Sequence, residues 1–175
     1  TPFSQKLNKF LNELNINLEY IRTNNNIKIK EKIKSIDTEK WRNEAKNKKT
    51  LETYLRFKNE IKEEKDIYDY TEESRILFKA RSNTLKLNWR NKYNKDNSTI
   101  NTKCPLCTTY EETLEHFLTK CVKLKQIREK MKNINNENEM LRRLLCFEKT
   151  TWKIEEGKKI LLEMWKERMK KEQIN

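Results

Sequence analysis

Three cysteines and one histidine form the densest concentration of chemistry in the sequence. Two residues separate Cys104 from Cys107, eight separate Cys107 from His116, and four separate His116 from Cys121, a C-x2-C-x8-H-x4-C arrangement. Two Cys at that spacing can grip one ion from a tight knuckle whose main-chain amides hydrogen-bond to the sulfurs, and a short helix then presents the imidazole. Three thiolates and one imidazole suit tetrahedral zinc and leave no position for a reactive water, so the expected metal is one structural Zn2+. Two other readings compete. Disulfides need an export context, and no export signal is visible; unconnected thiols leave unexplained why three of the four Cys and the only His fall within eighteen residues. Cys146 lies outside the cluster and reads as a small buried apolar residue.

Zinc held by three thiolates carries about −1, so any phosphate contact falls to cations around it. Lys103, Lys120, Lys123 and Lys125 flank the knuckle. Upstream, no acid occurs between Glu73 and Asp96, whereas Arg75, Lys79, Arg81, Lys86, Arg90, Lys92 and Lys95 do. At 100° per residue Arg75, Lys79, Lys86 and Arg90 share one stripe, with Ile76, Leu77, Phe78, Leu85, Leu87 and Trp89 on the other sides. One helix from about Glu72 to Arg90 would then carry a continuous cationic ridge suited to phosphate; the alternative is a solvated face in a Lys-rich chain. Trp89 and Tyr93 suit stacking on unpaired bases, and Trp89 suits core packing equally.

The formal net charge of +13 agrees with an acidic partner such as nucleic acid. Its placement is the better evidence, because Lys greatly outnumbers Arg and Asn is abundant, as an AT-rich coding sequence would produce.

Catalysis has little to stand on. Two-metal phosphoryl transfer needs converging carboxylates, and the four Asp, at 37, 66, 69 and 96, include no adjacent pair. Tyr68-Asp69-Tyr70 is superficially similar to a polymerase active-site strand but lacks the second acid. With its one His assigned to zinc the chain has no free imidazole base, and no Gly-rich phosphate loop exists. The chain is therefore expected not to be an enzyme.

The elements that must position these residues are helices. One Gly and two Pro in 175 residues leave almost none of the punctuation of an all-β fold, and with 38% charged against 34% hydrophobic residues the apolar side chains must be concentrated on helix faces. Phe3, Leu7, Phe10, Leu11, Leu14 and Leu18 predict a first amphipathic helix ending near 23–26. The stretch of Ile27, Ile29, Ile33 and Ile36 reads as helix for want of strand partners. Asp37 is expected to cap a helix containing Trp41, Thr50 one over 51–61, and Asp69 with Glu72 the long helix to Arg90. Further helices are expected at 122–131, 140–145 and 151–169, the last gathering Trp152, Ile154, Leu161, Leu162, Trp165 and Met169 on one side, with Gly157 marking a weakness or bend.

These elements divide into an N-terminal helical extension, 1–40, and a helical domain, 41–175, containing the knuckle at 103–122 and C-terminal helices at 122–172. The expected fold is mostly α, irregular, with an embedded single-zinc CCHC knuckle. No apolar run approaches the ~20 residues that cross a bilayer and no signal-like segment is present, so an intracellular location without membrane contact is expected. The chain begins at Thr1 and is expected to be a piece of a longer product.

The run Arg75-Ile-Leu-Phe-Lys-Ala-Arg-Ser-Asn-Thr-Leu-Lys-Leu-Asn-Trp-Arg90, then Cys104-Pro-Leu-Cys107 and Glu112-Thr-Leu-Glu-His-Phe-Leu-Thr-Lys-Cys121, resembles the C-terminal region of non-LTR retrotransposon reverse transcriptases, over roughly 41–130. The resemblance implies a segment downstream of the polymerase that helps hold the element's RNA or target DNA, with Cys104, Cys107, His116 and Cys121 as the metal ligands. The family's paired polymerase Asp and its endonuclease are missing, so neither activity is implied here. Two functions stay open. One is a nucleic-acid-binding module, RNA favoured, in the nucleus more than the cytoplasm, whose phosphate contacts are Arg75, Lys79, Lys86, Arg90, Lys92, Lys103, Lys120 and Lys123, alone or within a larger ribonucleoprotein. The other is a zinc-stabilised protein-interaction scaffold of domesticated origin, self-associating through the C-terminal helix.

Overall fold

Asparagine supplies the punctuation that glycine and proline supply in most chains. The left-handed backbone positions at Asn15 (φ 51°), Asn83 (φ 50°) and Asn133 (φ 58°) fall on Asn, whose short polar side chain tolerates them better than most. Asn also begins helices. The side chains of Asn17, Asn25 and Asn136 accept from the main-chain N–H of Tyr20, Lys28 and Glu139, satisfying donors that a first helical turn leaves open.

The computed structural model describes residues 2–62, 64, 67–93, 101–134, 136–147 and 150–172. Among these the chain is mostly α and has no strand. The helices are α1 (Pro2–Glu13), α2 (Leu18–Thr23), α3 (Asn26–Lys46), α4 (Glu52–Leu55), α5 (Glu72–Arg81), α6 (Lys125–Arg128), α7 (Glu137–Leu144) and α8 (Thr151–Glu172). Short 3-10 segments lie at Lys49–Leu51, Asn88–Tyr93 and Val122–Leu124, and a π-helical turn at His116–Lys120.

Two compact units divide the chain, Thr1–Lys49 with Asn59–Lys62, and Thr50–Lys58 with Glu63–Asn175. In the first, the left-handed turn at Asn15 splits the expected opening helix into α1 and α2. Leu11, Leu14 and Ile16 are buried there, with Tyr20, Ile21, Ile33 and Ile36 packed against them. Helix α3 passes straight through position 40, and Asp37 is an interior residue of it instead of a cap. Arg42 donates to both the main-chain and side-chain oxygens of Asn59 at 3.0 Å.

The second unit is built on α8, against which α5, α6 and α7 pack. Ile154, Ile160, Leu161, Leu162 and Met164 of α8 are buried. Each such burial contributes about 1.5–3 kcal/mol. Leu161 and Leu162, on the apolar side expected of this helix, are thus inside the core. Gly157 lies inside the uninterrupted α8, where a Cβ would sit 2.4 Å from the Arg143 carbonyl oxygen and 3.1 Å from Cys146 Sγ. Glycine is what lets α8 approach the end of α7. Thr50 caps nothing, since it falls within the 3-10 segment that leads into α4.

Helix α5 ends at Arg81, nine residues short of the expected Arg90. Asn83 turns left-handed, and the Thr84 N–H bonds back to the Lys79 carbonyl at 2.7 Å, a closure that terminates helices. At its start the cap is Thr71, whose side chain accepts from the Ser74 N–H, and not the Asp69 and Glu72 pair. Asp69 braces the cap from outside, accepting from the Thr71 hydroxyl at 2.6 Å, the Ser74 hydroxyl at 2.5 Å and Lys158 Nζ at 3.0 Å. Hydrogen bonds from Ser74, Thr71 and Lys158 hold its carboxyl well below the usual carboxylate range.

Candidate metal centre

The sequence from Thr102 to Glu112 closes on itself. Cys104 N–H donates to the Tyr110 carbonyl and Glu112 N–H to the Thr102 carbonyl, each at 2.8 Å, around a Lys103–Glu111 bridge. Inside, the Thr108 N–H reaches the Cys104 carbonyl at 2.8 Å, with Thr108 itself at φ 57°. The N–H groups of Cys107 and Leu106 point at the Cys104 sulfur, and those of Lys123 and Leu124 at the Cys121 sulfur. Main-chain donors of this kind favour a thiolate.

His116 and Cys121 are joined by geometry that spacing alone does not reveal. On an α-helix, positions five apart point about 140° away from each other. Here the Cys121 N–H bonds to the His116 carbonyl at 2.8 Å, five residues back, and this wider π turn carries Cys121 back over His116.

The outcome is one cluster. The ligand atoms of Cys104, Cys107, His116 and Cys121 all lie within 4.8 Å of one another, with Cys104 Sγ 3.8 Å from Cys121 Sγ and Cys107 Sγ 3.4 Å from His116 Nε2. A tetrahedron on metal–sulfur bonds of about 2.3 Å has S···S edges of roughly 3.8 Å, so the four residues could hold one metal ion. Burial, then the charges of Arg128 and Lys120, lower the His116 pKa, which keeps the ring in its neutral, ligating form. The contact between the two sulfurs pushes the Cys104 thiol up and the Cys121 thiol down. Cys146 stands apart, buried, its Sγ 3.4 Å from the Ile154 carbonyl and its thiol pushed up to about 12 by burial. It is a structural thiol.

The run Glu112-Thr-Leu-Glu-His-Phe-Leu118 assigns a task to nearly every residue. Thr113 Oγ1 accepts from the His116 N–H at 3.1 Å, and Leu114, Phe117 and Leu118 enter the core, where Phe117 meets Trp165 edge to face at 6.1 Å. Glu112 is fully buried and paired with the equally buried Arg168 of α8, and it also accepts from the Asn88 N–H at 2.7 Å.

Sequence reasoning missed the buried cations. Arg128 donates from Nη2 to the Cys121 carbonyl at 2.7 Å, and the Cys121 sulfur favours its charge. Arg81 donates to the carbonyls of Leu145 and Cys146 at 2.7 Å each and pairs with Glu64. Lys158, Arg143 and Lys58 are buried as well. The usable signal was residue type: Arg is the scarce cation, ten against thirty Lys, yet the buried cations described are four Arg and two Lys. A planar guanidinium fits several fixed acceptors at once.

The expected phosphate contacts do not form one ridge, because α5 stops before it can carry them. Arg75 and Lys79 are exposed on α5 and Lys86 is exposed beyond its end. Arg90 is half-buried and donates to the Asn83 carbonyl at 2.7 Å, holding the turn. Lys92 lies over Trp89 and Tyr93 at 5.4 and 5.7 Å and pairs with Glu111, while Trp89 packs against the core. Lys120 pairs with Glu115 and Glu137, and Lys125 with Glu129. Lys103 and Lys123 are exposed beside the knuckle. Among the described residues Arg75, Lys79, Lys86, Lys103 and Lys123 have no acidic partner; Lys95 lies outside those residues. Helices long and apolar enough to cross a membrane are absent from them.

Comparison with protein-family models, with curated proteins and with solved structures finds no match for this chain.

Proposed function

We propose that the chain is a non-catalytic nucleic-acid-binding module in which one structural zinc, on Cys104, Cys107, His116 and Cys121, stiffens a surface that contacts phosphates. The observation that supports it is the set of exposed cations without acidic partners, Arg75, Lys79, Lys86, Lys103 and Lys123, on and around the segments that flank the cluster. Such groups attract phosphate by releasing counterions and read little sequence. RNA is favoured over DNA, and a nuclear location over a cytoplasmic one, by the resemblance to non-LTR reverse transcriptase C-terminal regions.

Binding to single-stranded RNA and to duplex DNA, measured as a function of salt, tests the reading. A phosphate binder loses orders of magnitude in affinity between about 50 and 200 mM salt. Reversing Lys86, Lys103 and Lys123 to Glu together should weaken binding at least tenfold, since each phosphate contact contributes to the salt slope, with the far-UV circular dichroism unchanged. Undetectable binding, or affinity indifferent to the three reversals, would leave the protein-interaction scaffold as the better account.

A further inference from the structure

Beside the start of α5 lies a cleft of about 300 Å3, lined by Tyr68, Tyr70, Ser74, Arg75, Phe78 and Lys79. Three aromatic rings meet solvent here: Tyr70 is 100% exposed, Phe78 58% and Tyr68 38%. Single exposed rings are ordinary, but three around one opening form an apolar patch that asks for an occupant.

Tyr70 is the informative residue. Its φ is 65°, a left-handed conformation that opposes bulky side chains. The turn is imposed from both sides. Asp69 is tied to Thr71, Ser74 and Lys158, Thr71 caps α5, and the Ser74 hydroxyl donates to the Ile67 carbonyl at 2.8 Å. A strained backbone held this firmly usually serves packing or binding, and the Tyr70 ring packs on nothing. Tyr68 is fixed too. Its hydroxyl accepts from Arg81 Nη1 at 3.2 Å, and its ring stands edge-on to Phe78 with centroids 6.1 Å apart.

The charged residues that line the opening have one sign. Arg75 and Lys79 have no acidic partner among the described residues, whereas the nearby acids Asp69 and Glu72 are engaged by Lys158 and Lys166. We infer that this cleft is a stacking site for an unpaired base of a single-stranded nucleic acid. Tyr70 and Phe78 take the base between or upon their rings, and Arg75 and Lys79 neutralise the adjoining phosphates. Every base offers a π-face to such a platform, so the site tolerates any sequence but rejects a duplex, whose bases are already stacked. The inference rests on the nucleic-acid reading above and sharpens it to one site and one strand state.

The test uses the zinc-loaded full chain and fluorescence anisotropy with four probes: a short labelled single-stranded RNA, an RNA duplex of the same length, inorganic polyphosphate and an oligoglutamate peptide. Tyr70→Gly relieves the left-handed strain, so its Tm should hold or rise, while its affinity for the single strand falls about tenfold. Phe78→Ser should weaken the single strand similarly, and both variants should bind duplex and polyphosphate within about twofold of wild type, phosphate contacts being separate from stacking. Ultraviolet cross-linking of thiouridine RNA to the wild-type chain should mark Tyr70 or Phe78, a readout that needs no variant to fold.

Wild-type affinity in both variants, with cross-links elsewhere, overturns the cleft and leaves the wider nucleic-acid reading intact. No RNA binding by wild type overturns both. Equal loss of RNA and oligoglutamate binding in the variants assigns the cleft to a protein partner and overturns the inference.

Discussion

Arg168 and Glu112 meet fork to fork inside the second unit, Nε to Oε1 at 2.7 Å and Nη2 to Oε2 at 2.9 Å, with both side chains fully buried. They are 56 residues apart. The pair ties α8 to the loop that presents the metal ligands, and Asn88 joins it from the segment after α5. Burial opposes the charge on Arg168, but the hydrogen bonds and charge of Glu112 outweigh it and raise its pKa.

Removing one partner leaves the other charged in the core with its main bonds lost, Glu112 keeping the Asn88 N–H and Arg168 keeping Glu172. Arg168→Met or Glu112→Leu alone should cost roughly 3–5 kcal/mol, and the double replacement far less, because desolvation is then avoided for both. Urea unfolding of the two single variants and the double variant measures this. Additive losses would show that the pair is not acting as a unit.

Metal should be needed for the fold of the second unit. One zinc per chain is expected by elemental analysis, and a chelator should lower Tm by ten degrees or more, since binding free energy at such a site is folding free energy. Cys104→Ser should reproduce the chelator's effect, whereas Cys146→Ala should not change the metal stoichiometry.

Acid should act through the same site. His116 has a folded pKa below its ordinary 6.5, so the unfolded chain binds its proton more tightly. The stability this contributes is present above about pH 6.5 and is lost as pH falls through the lower folded value. Protons compete with metal at the thiolates in the same direction. Thermal melts from pH 8 down to about 5 should show Tm falling below pH 6.5, more gently in His116→Cys, whose thiolate ligand lacks the imidazole titration.

Arg128 should matter to the metal more than its distance from the ligand atoms suggests. It is buried with a bond to the Cys121 carbonyl, and its Nη1 has no hydrogen-bond partner among the described residues. Replacement by Met should weaken zinc about 10- to 100-fold in a competition titration with a chromophoric chelator, the range seen when groups supporting a ligand are lost. An unchanged zinc affinity would reduce Arg128 to a packing role.

Gly157→Ala sets two effects against each other. The substitution gains about 1 kcal/mol in helix propensity, but its Cβ would lie 2.4 Å from a backbone carbonyl that can only move by parting α8 from α7. Overpacking of that kind costs about 1–3 kcal/mol. A net loss of stability in urea is expected, and a gain would mean the two helices separate easily.

The sequence by itself determined the helical class, because a chain with one Gly, two Pro and apolar residues at helical spacing has no other compact solution. It also picked out the four residues that gather into a cluster that could hold a metal and left Cys146 outside it, although the π turn that carries Cys121 back over His116 is visible only in the structure. Even the end of α5 was written in Ser82-Asn83-Thr84, though the cationic periodicity beyond it invited a longer helix. What tertiary structure alone decided is which charges are available. Apart from the preference for Arg, nothing in the sequence marks Arg81, Arg128, Arg143, Lys158 and Arg168 off from the other cations of a basic chain, and they are buried because acceptors as much as 89 residues away converge on them. Local pattern fixes the turn of the backbone; only the assembled core fixes whether a charge meets water or a carbonyl.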